Sequence, residues 1–331
     1  MALKAKNKAH ASQISAGTKG RNTGHSFEKS IANDINQLCK STVNTVPTPT
    51  NILKGNPGLL LVSFILNRLK ISSFISIKAY CLGDLATSET KHDPLIVDGI
   101  VITKSKSDIL IVIDEGKPKH RLIGVSVKQC NTKSPTNAQL YFTTARAFLD
   151  LLEQNCFSIS PNAITALRQF CGDIGFRPID NKSITNRITD NRRFFWEEID
   201  AKGRIYLENL ITKHQAEISK LLLQKAYSKD PISPEFVMHK TRSSSSPNQV
   251  EVALYSIDEL IGYSCQYRGF ELKPYSVRKG SFKDPSGVTH LAPRFGIIQM
   301  QRGGQAQHPE QLQFNLESGY FYKLQEMLLQ K

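Results

Sequence analysis

Lys106-Ser-Asp-Ile-Leu-Ile-Val-Ile-Asp-Glu-Gly-Lys-Pro-Lys-His-Arg-Leu-Ile-Gly-Val-Ser-Val-Lys-Gln129 is the stretch on which the fold turns. Two β-branched, apolar runs flank Glu115-Gly-Lys-Pro118, with Gly and Pro at turn positions, so the segment predicts a strand pair. Strand side chains alternate between faces. Ser126 and Lys128 therefore share one face, and Ile109, Ile111 and Ile113 with Val125 and Val127 fill the other. Asp108 opens the first strand and Lys128 closes the second, which brings a carboxylate and an ammonium together. Such a carboxylate suits Mg²⁺, which takes oxygen ligands and keeps water. The lysine suits orienting a water and offsetting charge in a phosphoryl transition state.

Around this pair the chain reads as mixed α/β. A helix is predicted from about Ser26 to Lys40, with Phe27, Ile31, Ile35 and Leu38 at helical spacing. A buried helix follows Pro57, over about 58–70, and a short strand runs from Phe74 to Ala79. Leu95–Thr103 is β structure. Ser134-Pro-Thr-Asn137 predicts the start of a helix from about Ala138 to Gln154. Residues 160–227 look helical, with one long amphipathic stretch from Gly203. After a Ser-rich connector at 240–247, residues 250–316 alternate like an antiparallel sheet.

The motif residues carry a resemblance. Lys106-Ser-Asp108-Ile-Leu-Ile followed by Ile123-Gly-Val-Ser-Val-Lys-Gln129 resembles the PD-(D/E)XK nuclease core, specifically that of type II restriction endonucleases. Gly24-His-Ser-Phe-Glu28 looks like that fold's first helix, and the resemblance covers about residues 24–155. It implies a mixed central sheet flanked by helices, with an added C-terminal β-rich recognition region. It also implies Mg²⁺-dependent hydrolysis of double-stranded DNA at a short sequence by a homodimer, with a cognate DNA methyltransferase as counterpart in a bacterial or archaeal cytoplasm. Asp108 and Glu28 would hold metal, and Lys128 would position water or stabilise charge. One departure stands out: Ser126 occupies the position of the family's middle acid, and Glu28 is the candidate to supply that carboxylate. Asp98, on the preceding strand, is the rival of Asp108 as metal ligand. Asp114 and Glu115 are expected to be exposed in the turn.

The expected domains are a flexible basic arm (1–23), a nuclease core (24–180) and a helical and β-rich recognition region (181–331). The 331 residues carry 43 Lys+Arg against 29 Asp+Glu, a formal charge of +14 that points to a polyanionic partner. The arm contributes five of those cations and no acid. Residues 266–308 add seven Lys/Arg against two acids. There, Gln299, Gln301, Arg302 and Gln305, with Arg294 nearby, read as a hairpin carrying the side chains that suit adenine and guanine edges. A polar exposed sheet face is the other reading. Gln129, Asn131, Lys133 and Asn137 follow the catalytic strand and suit backbone contacts near the reacting phosphate. Arg192-Arg193 beside Phe194-Phe195-Trp196 reads as core aromatics with rim arginines, or as phosphate contacts.

Other chemistries are excluded or unsupported. The six scattered cysteines form no C-x-x-C pair and suit reduced thiols. No apolar run is long enough to span a bilayer, and the polar N-terminus does not read as a secretory signal. The eight histidines form no paired metal spacing. Two further functions compete with a restriction endonuclease: a sequence-specific DNA-binding protein with an inactive nuclease core, and a repair or recombination nuclease.

Overall fold

The computed structural model describes residues 8–38, 50–83, 85, 94–180, 193–224, 230–267, 269–275, 289–302 and 311–330. The predicted strand pair forms: β5 (Ile109–Asp114) and β6 (Arg121–Gln129) run antiparallel, with Ile109 opposite Val125. They lie inside a mixed six-stranded sheet, ordered β1 (Ile52–Gly55), β9 (Val250–Ser256), β8 (Pro234–Lys240), β6, β5, β2 (Ser76–Cys81). Only β6 and β8 pair in parallel.

Both faces of β5 are covered, which explains its unbroken apolar run. Ile109, Ile111 and Ile113 join Val125, Val127, Phe236 and Met238 in a core with Ile31 and Ile35 of α1 (Lys8–Asn36) and Leu61 and Ile65 of α2 (Pro57–Arg68). Each fully buried Leu or Ile there contributes roughly 1.5–3 kcal/mol. Leu110 and Val112 face a second cluster with Val97 and Ile102 of a small hairpin, β3 (Leu95–Val97) and β4 (Ile100–Ile102). α2 starts where Asn56 accepts a hydrogen bond from the Leu59 amide and Pro57 presets the first turn. Gly58 lets α2 lie against α1, because a Cβ there would come 2.7 Å from the Asp34 Cβ.

The chain divides into two compact units, each discontinuous: Met1–Ala138, Leu223–Ile261 and Glu317–Lys331, then Gln139–Leu222 and Gly262–Leu316. The predicted boundary at 180/181 thus falls inside the second unit, because β8 and β9 complete the central sheet. The second unit holds an antiparallel sheet ordered β10 (Phe270–Tyr275), β11 (His290–Phe295), β12 (Ile298–Arg302), β13 (Gln311–Leu316), β7 (Ala138–Thr144). It also contains α3 (Ala145–Gln154), α4 (Pro161–Cys171), α5 (Ala201–Lys213) and α6 (Gln215–Gln224). The first unit adds α7 (Ile257–Ser264), which runs past the Ile261 boundary, and α8 (Ser318–Leu329).

Several local expectations are corrected. Residues 8–23 are helical and not a flexible arm; helix propagates back from the turns pinned by Phe27, Ile31 and Ile35. Residues 1–7 lie outside the described residues. Ala138–Thr144 is a strand: Tyr141-Phe-Thr-Thr144 favours extended backbone, and the helix begins only where Thr144 caps the Ala147 amide. The amphipathic stretch from Gly203 is two helices, broken at His214. Glu115 is half-buried, pairing with Lys117 and Arg121, and Asp114 accepts from the Gly116 amide. Phe194, Phe195 and Trp196 are core, as the first of the two readings had it. Among the described residues five cysteines are free thiols.

α8 closes the first unit. Gln325 Oε1 accepts from the Asn51 and Ile52 amides at 2.7 and 3.2 Å. Glu251 Oε1 accepts from Thr241 (2.6 Å), Arg242 (2.9 Å) and Tyr322 (2.6 Å). Phe321 packs on Tyr255 and on His239, whose ring is 0% exposed and whose nitrogens have no partner among the described residues.

His239 makes stability pH-dependent. Burial, and then the Lys128 cation, lower its pKa from 6.5 to about 4. The unfolded chain takes up this proton below about pH 6.5 and the folded protein only below about 4. Stability should therefore fall as pH drops through that window and then level off, by up to about 3 kcal/mol. Urea unfolding at pH 7.5 and 4.5 measures this, and His239→Leu should remove most of the difference.

Candidate functional site

Asp108 sits one residue before β5, with its backbone still laddered: its amide donates to Val125 at 2.9 Å and its carbonyl accepts from Leu82 at 2.8 Å. Its side chain is gathered by the end of β6. Oδ2 accepts from the Val127 amide (2.6 Å), Lys128 Nζ (2.9 Å) and Ser126 Oγ (3.2 Å). Lys128 also donates to the Val127 carbonyl at 3.0 Å. The ion-paired side chains are 21% and 18% exposed for Asp108 and Lys128, and Ser126 is buried. Partial removal from water strengthens this pair relative to one on the open surface. Because all three bonds go to Oδ2, Oδ1 has no protein donor among the described residues.

The segment entering β5 is clamped from the loop before β8. The Asp230 carboxylate accepts from Ser105 Oγ (3.0 Å), the Ile232 amide (3.0 Å) and the Lys106 amide. Ser105 and Ser107 hydroxyls donate to the Ile232 carbonyl at 3.1 and 2.8 Å. Gly124 permits this crossing, since a Cβ there would meet Ser107 Oγ and lie 2.6 Å from the Ser233 carbonyl oxygen. Lys106 is half-buried, and its pKa falls to about 7, chiefly through burial and then through Lys128; Asp108 and Asp230 oppose the shift. The site thus carries a second amine able to exchange a proton near neutrality. Sequence reasoning named Lys106 only as part of the motif, although its spacing to Asp108 was visible. It missed Asp230, whose role comes from a loop distant in sequence.

Glu28 is buried on α1, against Gly83, where a Cβ would collide with its carboxylate. Gly24 and the Gln129 amide lie beside it, and the Gln129 Nε2 is buried without a partner among the described residues. Gly83 follows the Leu82 that bonds the Asp108 carbonyl. Glu28 therefore stands near the same strand ends, on the α1 side, while Lys128 lies on the opposite side; Asp108 makes none of its hydrogen bonds to it. Among the described residues no three His, Cys, Asp or Glu side chains form a ready metal-holding group. Asp98 is not brought to Asp108. It occupies the β3–β4 turn with φ 50° and binds His120 through the backbone amide (3.2 Å) and Nδ1 (2.8 Å).

The predicted Gln hairpin forms as β12 and β13, with Gln301 opposite Gln313 and Gln299 opposite Asn315. Asn315 donates to Gln301 Oε1 at 3.0 Å, and Gln313 donates to Asn315 at 2.9 Å and to Gln139 at 3.3 Å. Arg294, opposite Gln299, is buried and pairs with Glu271 at 3.3 Å. Gln305 lies outside the described residues. Arg302 departs from the expectation. It follows buried Ile298 and Met300 in the alternation, so it points into the aromatic core. Its guanidinium lies 4.7 Å from the Phe195 ring centre and 5.5 Å from that of Phe170, and it donates to the Phe194 carbonyl at 3.4 Å. Asn131, Lys133 and Asn137 are exposed beyond β6, and Gln129 is half-buried.

No protein-family model and no curated protein matches the sequence. Among solved structures, the chain is similar to restriction endonuclease MspI in a crystal structure with its cognate DNA, at 10% identity and a TM-score of 0.44, over 77% of this chain and 76% of that one. No helix among the described residues is long and apolar enough to cross a membrane.

The position of Arg302 changes what its removal should do. Arg302→Ala deletes a cation over two buried rings and should lower stability by roughly 1–2 kcal/mol. It should leave discrimination between duplex sequences unchanged. Urea unfolding and binding to a panel of duplexes measure the two effects separately.

Proposed function

We propose that this protein is a Mg²⁺-dependent type II restriction endonuclease that hydrolyses phosphodiester bonds of double-stranded DNA at a short sequence. The observation that carries this is the half-buried Asp108–Lys128 pair where β5 starts and β6 ends, with no donor to Asp108 Oδ1 among the described residues. For magnesium the chain offers the Asp108 carboxylate as a hard oxygen with the Ser126 hydroxyl beside it, while Glu28, on the α1 side of the same strand ends, would have to contribute through bound water. Bound there, the ion would polarise the phosphate and activate water.

The chain's own residues supply the rest. Asp108 turns one carboxylate oxygen outward because the Val127 amide, Lys128 and Ser126 hold the other. Lys128, held against Asp108, would offset the negative charge that builds on the phosphate oxygens as water attacks phosphorus and the ester bond breaks. Lys106 places a second amine beside it. The +14 charge favours approach of a polyanion. Gln299 and Gln301, with Gln129, Asn131, Lys133 and Asn137, are the candidates for duplex contacts, and Arg294 for bracing the polar sheet face through Glu271. The same reading implies a homodimer cutting both strands, a cognate methyltransferase and a bacterial or archaeal cytoplasm.

Ser126 at the middle acid position favours a second reading, a sequence-specific DNA-binding protein whose core does not cleave. Incubation of plasmid with Mg²⁺ separates the two, since discrete fragments mark a restriction enzyme and retained binding without cutting marks the second. Cleavage confined to branched or damaged DNA would mark a repair nuclease instead. On the first reading, Asp108→Ala and Lys128→Ala should each abolish cleavage and leave binding largely intact. Glu28→Ala should reduce cleavage by a large factor. Comparable cutting by the Asp108→Ala protein would overturn the assignment.

A further inference from the structure

Among the described residues, α1 is anchored through its C-terminal half. Phe27, Ile31 and Ile35 pack into the core, and Glu28 lies beside Gly83 and Gln129 near the ends of β5 and β6. Among the described residues, no α1 side chain before Phe27 joins either sheet core. The helix nevertheless continues back to Lys8. Its outer part carries one continuous polar face: Ser15, Thr18, Lys19, Asn22, Thr23 and Ser26, spaced by three and one, all exposed. That face has no apolar side chain, and no acid occurs anywhere before Glu28, against five Lys/Arg.

We infer that the N-terminal half of α1 is a phosphate-tracking surface that grips duplex flanking the cleaved bond, a conclusion resting on the nuclease reading above. The helix rises about 1.5 Å per residue, so Lys8 stands roughly 26 Å from His25 along the axis. At about 3.4 Å per base pair this corresponds to ~7–8 base pairs of flanking DNA. Hydroxyls, an amide and a lysine are the groups that hold phosphate and sugar without reading sequence. Thr18, Thr23 and Ser26 now donate to carbonyls four residues back, at 3.0, 2.8 and 2.8 Å, and each hydroxyl can rotate outward to an incoming phosphate. An anionic membrane would call for an apolar face opposite the charge, which these residues lack. A second copy of the same basic helix would be repelled.

The test compares the full chain with its Lys8→Gln/Lys19→Gln variant on a 6-bp hairpin and a 30-bp duplex of arbitrary sequence, with Ca²⁺ in place of Mg²⁺. The variant should bind the longer duplex roughly three- to tenfold more weakly at about 0.1 M salt, with a log–log salt slope lower by at most about 1.8. The loss on the 6-bp hairpin should be smaller, because its roughly 20 Å can reach from the site to Lys19 but not to Lys8. Equal losses at both lengths, or none at 30 bp, would overturn the inference. Circular dichroism checks that the variant keeps its helix, and Lys19→Glu should deepen the same length-dependent loss. Plasmid cleavage by the wild type, scored separately with Mg²⁺, reports on the nuclease reading itself.

Discussion

Strand β6 carries two kinds of pairing at once, antiparallel to β5 and parallel to β8, and the site depends on that junction. The register shifts between Gly124 and Val125, where the strand pairs with β8. At that point the loop before β8 presses its Ser233 carbonyl toward Gly124 and its Asp230 carboxylate onto Ser105 and Lys106. The segment leading to Asp108 is thus fixed from below, while the end of β6 seizes the Asp108 carboxylate from the side. A β-carbon at position 124 would push these parts apart. The carboxylate is positioned by one backbone amide and two side chains of β6, on a segment held in turn by the Asp230, Ser105 and Ser107 side chains.

The strand pair was legible because both of its signals are local. Alternation in Val125-Ser-Val-Lys128 sorts core from site, and Glu115-Gly-Lys-Pro118 marks the turn. Helix α2 was equally plain from Pro57 and the apolar run that follows. Position 138 was not, because a Ser-Pro-Thr-Asn cluster announces a helix start as readily as a loop between strands. The tertiary partner that settles it, β13, lies far along the chain. The same distance hid the membership of β8 and β9 in the central sheet.

Arg302 shows where a compositional reading goes astray. A Gln-Met-Gln-Arg run invites the arginine to be counted with the glutamines, but alternation puts it with the methionine. Its charge is spent on the faces of Phe195 and Phe170. The glutamines do share a face, yet Gln301, Gln313 and Asn315 already bond one another. Any partner they meet must compete with that network, which sets the geometry of the amides before contact. Asp230 and the lowered pKa of Lys106 were invisible for another reason. Their environment arises only after two segments far apart in sequence converge.

The interleaving of the two units has a consequence for biosynthesis. Unit one is made of the first stretch of chain, a middle piece and the segment from Glu317 onward. Phe321 covers His239 and Tyr255, and Gln325 satisfies the Asn51 and Ile52 amides. While the ribosome is still making residues 139–316, the nascent chain carries an incomplete central sheet whose β8–β9 side lacks its cover. The first-made strands cannot mature as an independent N-terminal domain. Emergence of the segment bearing α8 is the event that lets this unit close, so stalling late in translation would leave the first unit uncovered although the chain of the second is already made.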